Sequence, residues 1–170
     1  MLKNNHVSAV ILHLDDFMHT GEVEESLPIQ PRLDYKLAHA KIKEVLSGNA
    51  CISKPKWSDD ASYKFEETVS LVGINLLIFE GEYTLSDSAM YDFLKYSSLR
   101  IYMQAHDKDM LEWNWQRGRA IQQQTKDDFF AYMTESMHHY HTYIEPTQKH
   151  AHYIVFHNMQ HQYMLRSSVD

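Results

Sequence analysis

Val7-Ser8-Ala9-Val10-Ile11-Leu12-His13-Leu14-Asp15-Asp16-Phe17 is the stretch on which the fold turns. Its apolar, partly β-branched run has the length of a buried parallel strand and stops on two aspartates. A second run, Asn75-Leu76-Leu77-Ile78-Phe79-Glu80-Gly81, repeats the pattern and ends on one carboxylate before a glycine. Residues 99–104 and 152–156 read as third and fourth strands. Between the first two runs, Leu33, Leu37, Ala38, Ala40, Ile42, Val45 and Leu46 recur at mostly helical spacing. That spacing predicts a helix over 33–46, ended by Ser47-Gly48-Asn49. Further helices are predicted over 86–96, with Ser86 as cap and Asp87 in the first turn, and over 107–124 and 126–143. Residues 19–32, with Gly21, Pro28 and Pro31, read as a loop, and short extended pieces fall around 50–53 and 68–72. Strands alternating with helices give an α/β fold with a mostly parallel sheet. Ligands of such sheets bind beyond the carboxyl ends of the strands, where Asp15, Asp16 and Glu80 are expected.

Composition narrows the partners. One domain is the prior for 170 residues, and a formal net charge of −7 disfavours non-specific binding to nucleic acid or anionic membrane. The apolar runs fall far short of the roughly 20 residues of a membrane helix. The first residues lack the apolar stretch and cleavage site of a secretory signal. A single cysteine, Cys51, allows no internal disulfide, and a reducing cytoplasm is the expected compartment.

The acidic strand ends, followed by Arg117-Gly118-Arg119, read like the parts of a phosphoryl-transfer site. Such a site needs a metal to neutralise phosphates, a base for the attacking hydroxyl and cations on the transferred group. Each residue also has a plainer reading. Asp15 and Asp16 could form a strand-end turn or helix cap, Glu80 a solvated strand end, and the arginines an ordinary helix face. Among twelve histidines, His138 and His141, or His138 and His139 with His150 and His152, could meet around a metal. No H-E-x-x-H spacing supports it. Trp113 and Trp115, two apart on a helix, point to different faces.

Four segments in order carry a resemblance: Asp15-Asp16-Phe17-Met18, Glu80-Gly81, Arg117-Gly118-Arg119 and Pro146-Thr147-Gln148-Lys149-His150-Ala151-His152. Over roughly residues 7–157 the chain resembles the uridine kinase and phosphoribulokinase family of P-loop kinases. The resemblance implies a mostly parallel three-layer α/β sheet, with ATP and Mg²⁺ as cofactors and a small-molecule hydroxyl as acceptor. By the same resemblance Asp15 is the base, Glu80 contributes to the magnesium site, and Arg117 and Arg119 contact the phosphates. Trp57, after Pro55, takes the aromatic position of the substrate pocket, and Asp16 lies beside it as a further substrate or magnesium contact. A homo-oligomer is compatible with this reading.

The departures are as specific as the matches. Arginines expected before Arg117 are replaced by a segment with Asp109, Glu112, Trp113 and Trp115. The chain has five glycines and no G-x-x-x-x-G-K-[ST] loop. The family's first strand, central in a 2-3-1-4-5 sheet, and its phosphate-binding loop are expected to be missing. Residues 1–157 are then an N-terminally incomplete kinase-like domain and 158–170 a tail, and the chain as written is expected to be inactive. The alternative is a non-catalytic binding or interaction protein that retains a kinase-like shell.

Overall fold

The structure is a computed structural model and describes residues 7–19, 33–58, 63–89, 91–121 and 125–167. The chain divides into two compact units, Met1–Thr84 with Ser88–Tyr96, and Leu85–Asp87 with Ser97–Asp170.

In the first unit, β1 (Ala9–His13) runs parallel to β4 (Leu76–Glu80), in register from Ala9 opposite Leu76 to His13 opposite Glu80. The parallel pairing is as expected, but burial on both faces is not. Val10, Leu12 and Leu14 are buried, while Ile11, Leu76 and Ile78 are 40–43% exposed. Alternation along a strand puts these residues on opposite faces, and among the described residues only one face is covered. After β1 the chain turns through one 3₁₀ turn, Leu14–Phe17, and Phe17 is buried with Leu14.

Helix α1 (Tyr35–Leu46) starts on Asp34, whose carboxylate accepts the Leu37 N–H at 2.9 Å, and it buries Ala38 and Ile42. It stops where expected, at Ser47-Gly48, with Gly48 at φ +78°. The two short extended pieces prove to be arms of one antiparallel hairpin, β2 (Cys51–Trp57) and β3 (Lys64–Ser70). Polar cross-strand pairs hold it: Ser53 donates to Glu66 at 2.7 Å and Lys56 to Glu67 at 2.9 Å. A hairpin built on such pairs lacks the apolar run by which a strand is recognised.

The helix predicted over 86–96 does not form among the described residues of that segment, which are turn and irregular backbone with one 3₁₀ turn at Leu94–Tyr96. Tyr91 and Phe93, two apart, are both fully buried. One continuous helix would set them on different faces; instead Tyr91 and Asp92 close a turn on the Ser88 carbonyl, and Phe93 follows in irregular backbone. Tyr91 stacks on Tyr83 at 4.9 Å, and Phe93 meets Phe79 at 4.8 Å and His39 at 4.4 Å.

The second unit has a three-stranded sheet in the order β5 (Ile101–Gln104), β6 (Tyr153–His157), β7 (Tyr163–Ser167). Strands β5 and β6 are parallel and β7 returns antiparallel, so the stretch set apart as a tail contains a strand. Helices α2 (Asp107–Ile121) and α3 (Lys126–His139, capped by Thr125) fill the connection. Beyond α3 the expected helix widens into a π turn, Tyr140–Ile144, and then tightens into a 3₁₀ segment, Glu145–His150. Arg100 ties the two parallel strands at their start, donating to the His150 carbonyl at 2.6 Å. The α/β class with parallel strands and connecting helices therefore holds.

Candidate functional site

The carboxyl end of the β1–β4 pair assembles most of the residues singled out from the sequence. Glu80 ends β4 directly beside His13, and its carboxylate pairs with His13 Nδ1. Gly81 follows at φ +144°, and its hydrogen faces Leu14 so closely that a side-chain carbon there would overlap Leu14 Cβ. The glycine lets β4 end against the turn that carries Asp15 and Asp16. That requirement accounts for the Glu-Gly pair in steric terms.

Asp16 is buried, and both its oxygens are engaged. Lys54 Nζ donates at 2.8 Å to one and the Trp57 backbone N–H at 3.1 Å to the other. Lys54, only 3% exposed, also lies 3.4 Å from Glu67. A lysine so deeply buried needs such partners, since an unpaired charge would be very costly there. Asp16 thus fastens the end of β1 to the hairpin and fixes Trp57. The indole Nε1–H of Trp57 donates at 2.9 Å to the carbonyl of Asp15, whose residue is exposed. Asp15 and Trp57, read separately from the sequence, are neighbours.

Lys64, opposite Trp57 in the hairpin, sits with its ammonium 5.1 Å from the Trp57 ring and donates to the Met18 carbonyl. Burial lowers its pKa, against the raising influence of Asp16 and Asp34. His13, Lys54 and Lys64 all escaped the sequence reading. The signal for Lys54 was present: it stands two residues after buried Ile52, in phase with the inward face of β2.

Arg117 and Arg119 belong to the second unit, on α2. Arg117 is exposed and donates to Asn114 Oδ1 at 2.8 Å, while the side chain of Arg119 lies outside those described. Two positions apart, they are about 200° apart around the helix axis. Three of the histidines weighed as metal ligands are engaged elsewhere. His141 bridges Glu145 at 2.7 Å and Asp107 at 3.1 Å, His150 faces Asp87, and His152 meets Arg100. Among the described residues no group of three or more His, Cys, Asp or Glu is placed to hold a metal ion. No helix among them is long and apolar enough to cross a membrane.

Solved structures share this architecture. Phosphoribulokinase from Rhodobacter spheroides superposes with a TM-score of 0.70 at 13% identity, over 89% of this chain and 61% of that one. A Silicibacter protein assigned as a fructose transport system kinase gives 0.62 at 15% identity, over 74% of this chain and 64% of its own. A possible uridine kinase from Bacillus stearothermophilus gives 0.50 at 17%, over 87% and 72%. The chain therefore spans less than two thirds of the first two proteins. No curated protein matches it in sequence. The sequence profile of the Phosphoribulokinase / Uridine kinase family matches residues 11–163, and with nine-tenths of its length so covered the chain belongs to that family.

Proposed function

We propose that this chain carries the acceptor side of a kinase that moves the γ-phosphate of ATP to a hydroxyl of a small metabolite, a nucleoside or similar. The observation that carries the proposal is the in-register parallel pairing of β1 with β4, which sets the Asp15 turn and Glu80 at one end of one sheet. Asp15, exposed on that turn, takes the proton of the attacking hydroxyl. Trp57 offers the acceptor a flat wall held by Asp15 and Asp16, with the Lys64 ammonium beside it. Arg117 and Arg119 neutralise phosphate charge. Magnesium is commonly held by one or two carboxylates, with phosphates and water completing its shell, so Glu80 alone fits that task. ATP and Mg²⁺, when bound, supply the phosphoryl group and the neutralisation of its charge.

The 170 residues do not fit ATP as well as they fit an acceptor. The sequence holds no G-x-x-x-x-G-K-[ST] motif, so the chain alone should transfer phosphate poorly or not at all. Parallel sheets are normally covered on both faces. The exposed Ile11, Leu76 and Ile78 support a further element packed over that face of the β1–β4 pair. A second reading, a non-catalytic binding protein, is favoured by Lys54 on Asp16 and His13 on Glu80, partners from the chain itself that already engage these two acids.

The test uses the chain and Asp15→Asn with ATP, Mg²⁺ and a panel of nucleosides and pentose phosphates. Acceptor binding should quench tryptophan fluorescence in both proteins, tight ATP binding should be missing, and any residual transfer should vanish in the variant. Tight ATP binding with turnover would overturn the expectation of poor activity. Failure of every acceptor to bind would favour the non-catalytic reading.

A further inference from the structure

The turn joining β6 to β7 holds two imidazoles nitrogen to nitrogen, with His157 Nε2 3.2 Å from His161 Nδ1. Two ligands each about 2.1 Å from one ion and 3.2 Å apart subtend about 100° at that ion. That angle lies between the tetrahedral and square-planar arrangements of metals that prefer imidazole. We propose that His157 and His161 form a two-histidine clip for a divalent transition-metal ion, Cu²⁺, Ni²⁺ or Zn²⁺. Water, or a donor atom from a second molecule, completes the shell.

The surroundings prepare both rings. His157 stacks on Trp113 at 4.5 Å and on Tyr163 at 4.5 Å, nearly parallel to the latter at 5°. Asn158 locks the turn by accepting the N–H groups of Gln160 and Gln162, each at 3.0 Å, and its own carbonyl accepts the His161 N–H at 2.9 Å. His161 has φ +56° and is the one non-glycine residue with positive φ among those described. A histidine in that region carries backbone strain, and strain of this kind collects at ligand clamps and functional sites. Here it occurs at the residue that completes the pair. His161 is exposed and His157 partly so, which leaves room for the remaining donors. His141, His150 and His152 have carboxylate or arginine neighbours, whereas this pair presents one ring nitrogen to another. Magnesium and calcium prefer oxygen donors, so the clip is distinct in ligand chemistry from Glu80, and it does not rest on the proposed phosphoryl transfer.

The experiment adds Cu²⁺ alone to the full chain near neutral pH and follows tryptophan fluorescence. A saturable quench is expected, carried chiefly by Trp113 and therefore largely lost in Trp113→Phe. Zn²⁺ in large excess should reverse it by competition, and Mg²⁺ at the same excess should not. His161→Asn keeps a residue type that tolerates positive φ. It should weaken the midpoint at least about tenfold with an unchanged circular dichroism spectrum. If that variant loses its fold, His157→Gln takes its place with the same expectation. An unchanged midpoint in a folded variant, or a quench that survives Trp113→Phe intact, would overturn the proposal and place the copper on other histidines.

Discussion

Replacing Gly81 with alanine tests the steric account of the Glu-Gly pair. An added methyl carbon would overlap Leu14 Cβ and sit 3.3 and 3.4 Å from Leu14 Cδ2 and Cγ. Leu14 cannot escape by changing rotamer, because the nearest atom is its own Cβ, and the residue is buried. Forcing the two apart costs about 1–3 kcal/mol for overpacking. Holding alanine at φ +144° adds roughly 1–3 kcal/mol of backbone strain. The sum, about 2–6 kcal/mol, is a large share of a typical domain stability of roughly 5–15 kcal/mol. Gly48 supplies the control: its φ is +78° but nothing lies within 4 Å of an added carbon. Gly48→Ala should therefore cost only about 1–2 kcal/mol. Urea unfolding followed by far-UV circular dichroism reads the comparison. With a slope of about 1–3 kcal/mol per molar, Gly81→Ala should fall below Gly48→Ala by on the order of 1 M in midpoint. Equal midpoints would show that the approach of Leu14 is not what demands glycine after Glu80.

Three further perturbations follow from the geometry. Lys54→Met leaves Asp16 charged and buried and should cost about 3–5 kcal/mol, with much of the loss recovered in Lys54→Met combined with Asp16→Asn; urea midpoints decide it. His141 has its pKa raised above the ordinary 6.5, first by its hydrogen bond to Glu145 and then by the Asp107 charge. Its stabilising contribution is full below that ordinary value and is lost as pH rises through the raised one, so His141→Gln should flatten the fall in stability over that window. The effect is small, since 40% of the side chain is exposed, and is read as a difference in slope between the two proteins. Tyr102→Phe removes the 2.7 Å hydrogen bond to the Tyr140 hydroxyl and should lower stability by about 1 kcal/mol, measured by denaturant midpoint.

Legibility in the sequence followed the length over which the signal is local. The four parallel strands were readable because each is an apolar run that ends sharply, as at Leu14-Asp15 and Phe79-Glu80. The β2–β3 hairpin was only half readable, because its polar residues satisfy one another across strands, Lys54 and Lys56 with Glu67 and Ser53 with Glu66. The helix expected over 86–96 failed because its caps and charges look helical while the core takes both Tyr91 and Phe93, two apart, from a turn and irregular backbone. At the site, Asp15 and Trp57 could be named one by one, but their proximity depends on a hydrogen bond 42 residues apart in sequence. His13 beside Glu80 needs the register of two strands, which no local pattern supplies.

That register also bears on what the acidic end of the sheet can do. Three acids lie there, and for Asp16 and Glu80 the partners are Lys54 and His13 of the same chain. Lys54 is buried with Asp16, so their attraction is little screened and the pair behaves as structure. His13 and Glu80 are each about half exposed, so water and ions reach both, and the pairing can be exchanged at low cost. A metal with phosphates behind it would compete for Glu80 on favourable terms, and none would dislodge Lys54 from Asp16 so readily. Division of labour follows from burial: Asp16 and Lys54 hold Trp57 in place, and the exposed carboxylates of Asp15 and Glu80 remain within reach of incoming ligands. The catalytic reading thus needs the paired Glu80 to be exchangeable, and its exposure is what makes that exchange physically reasonable.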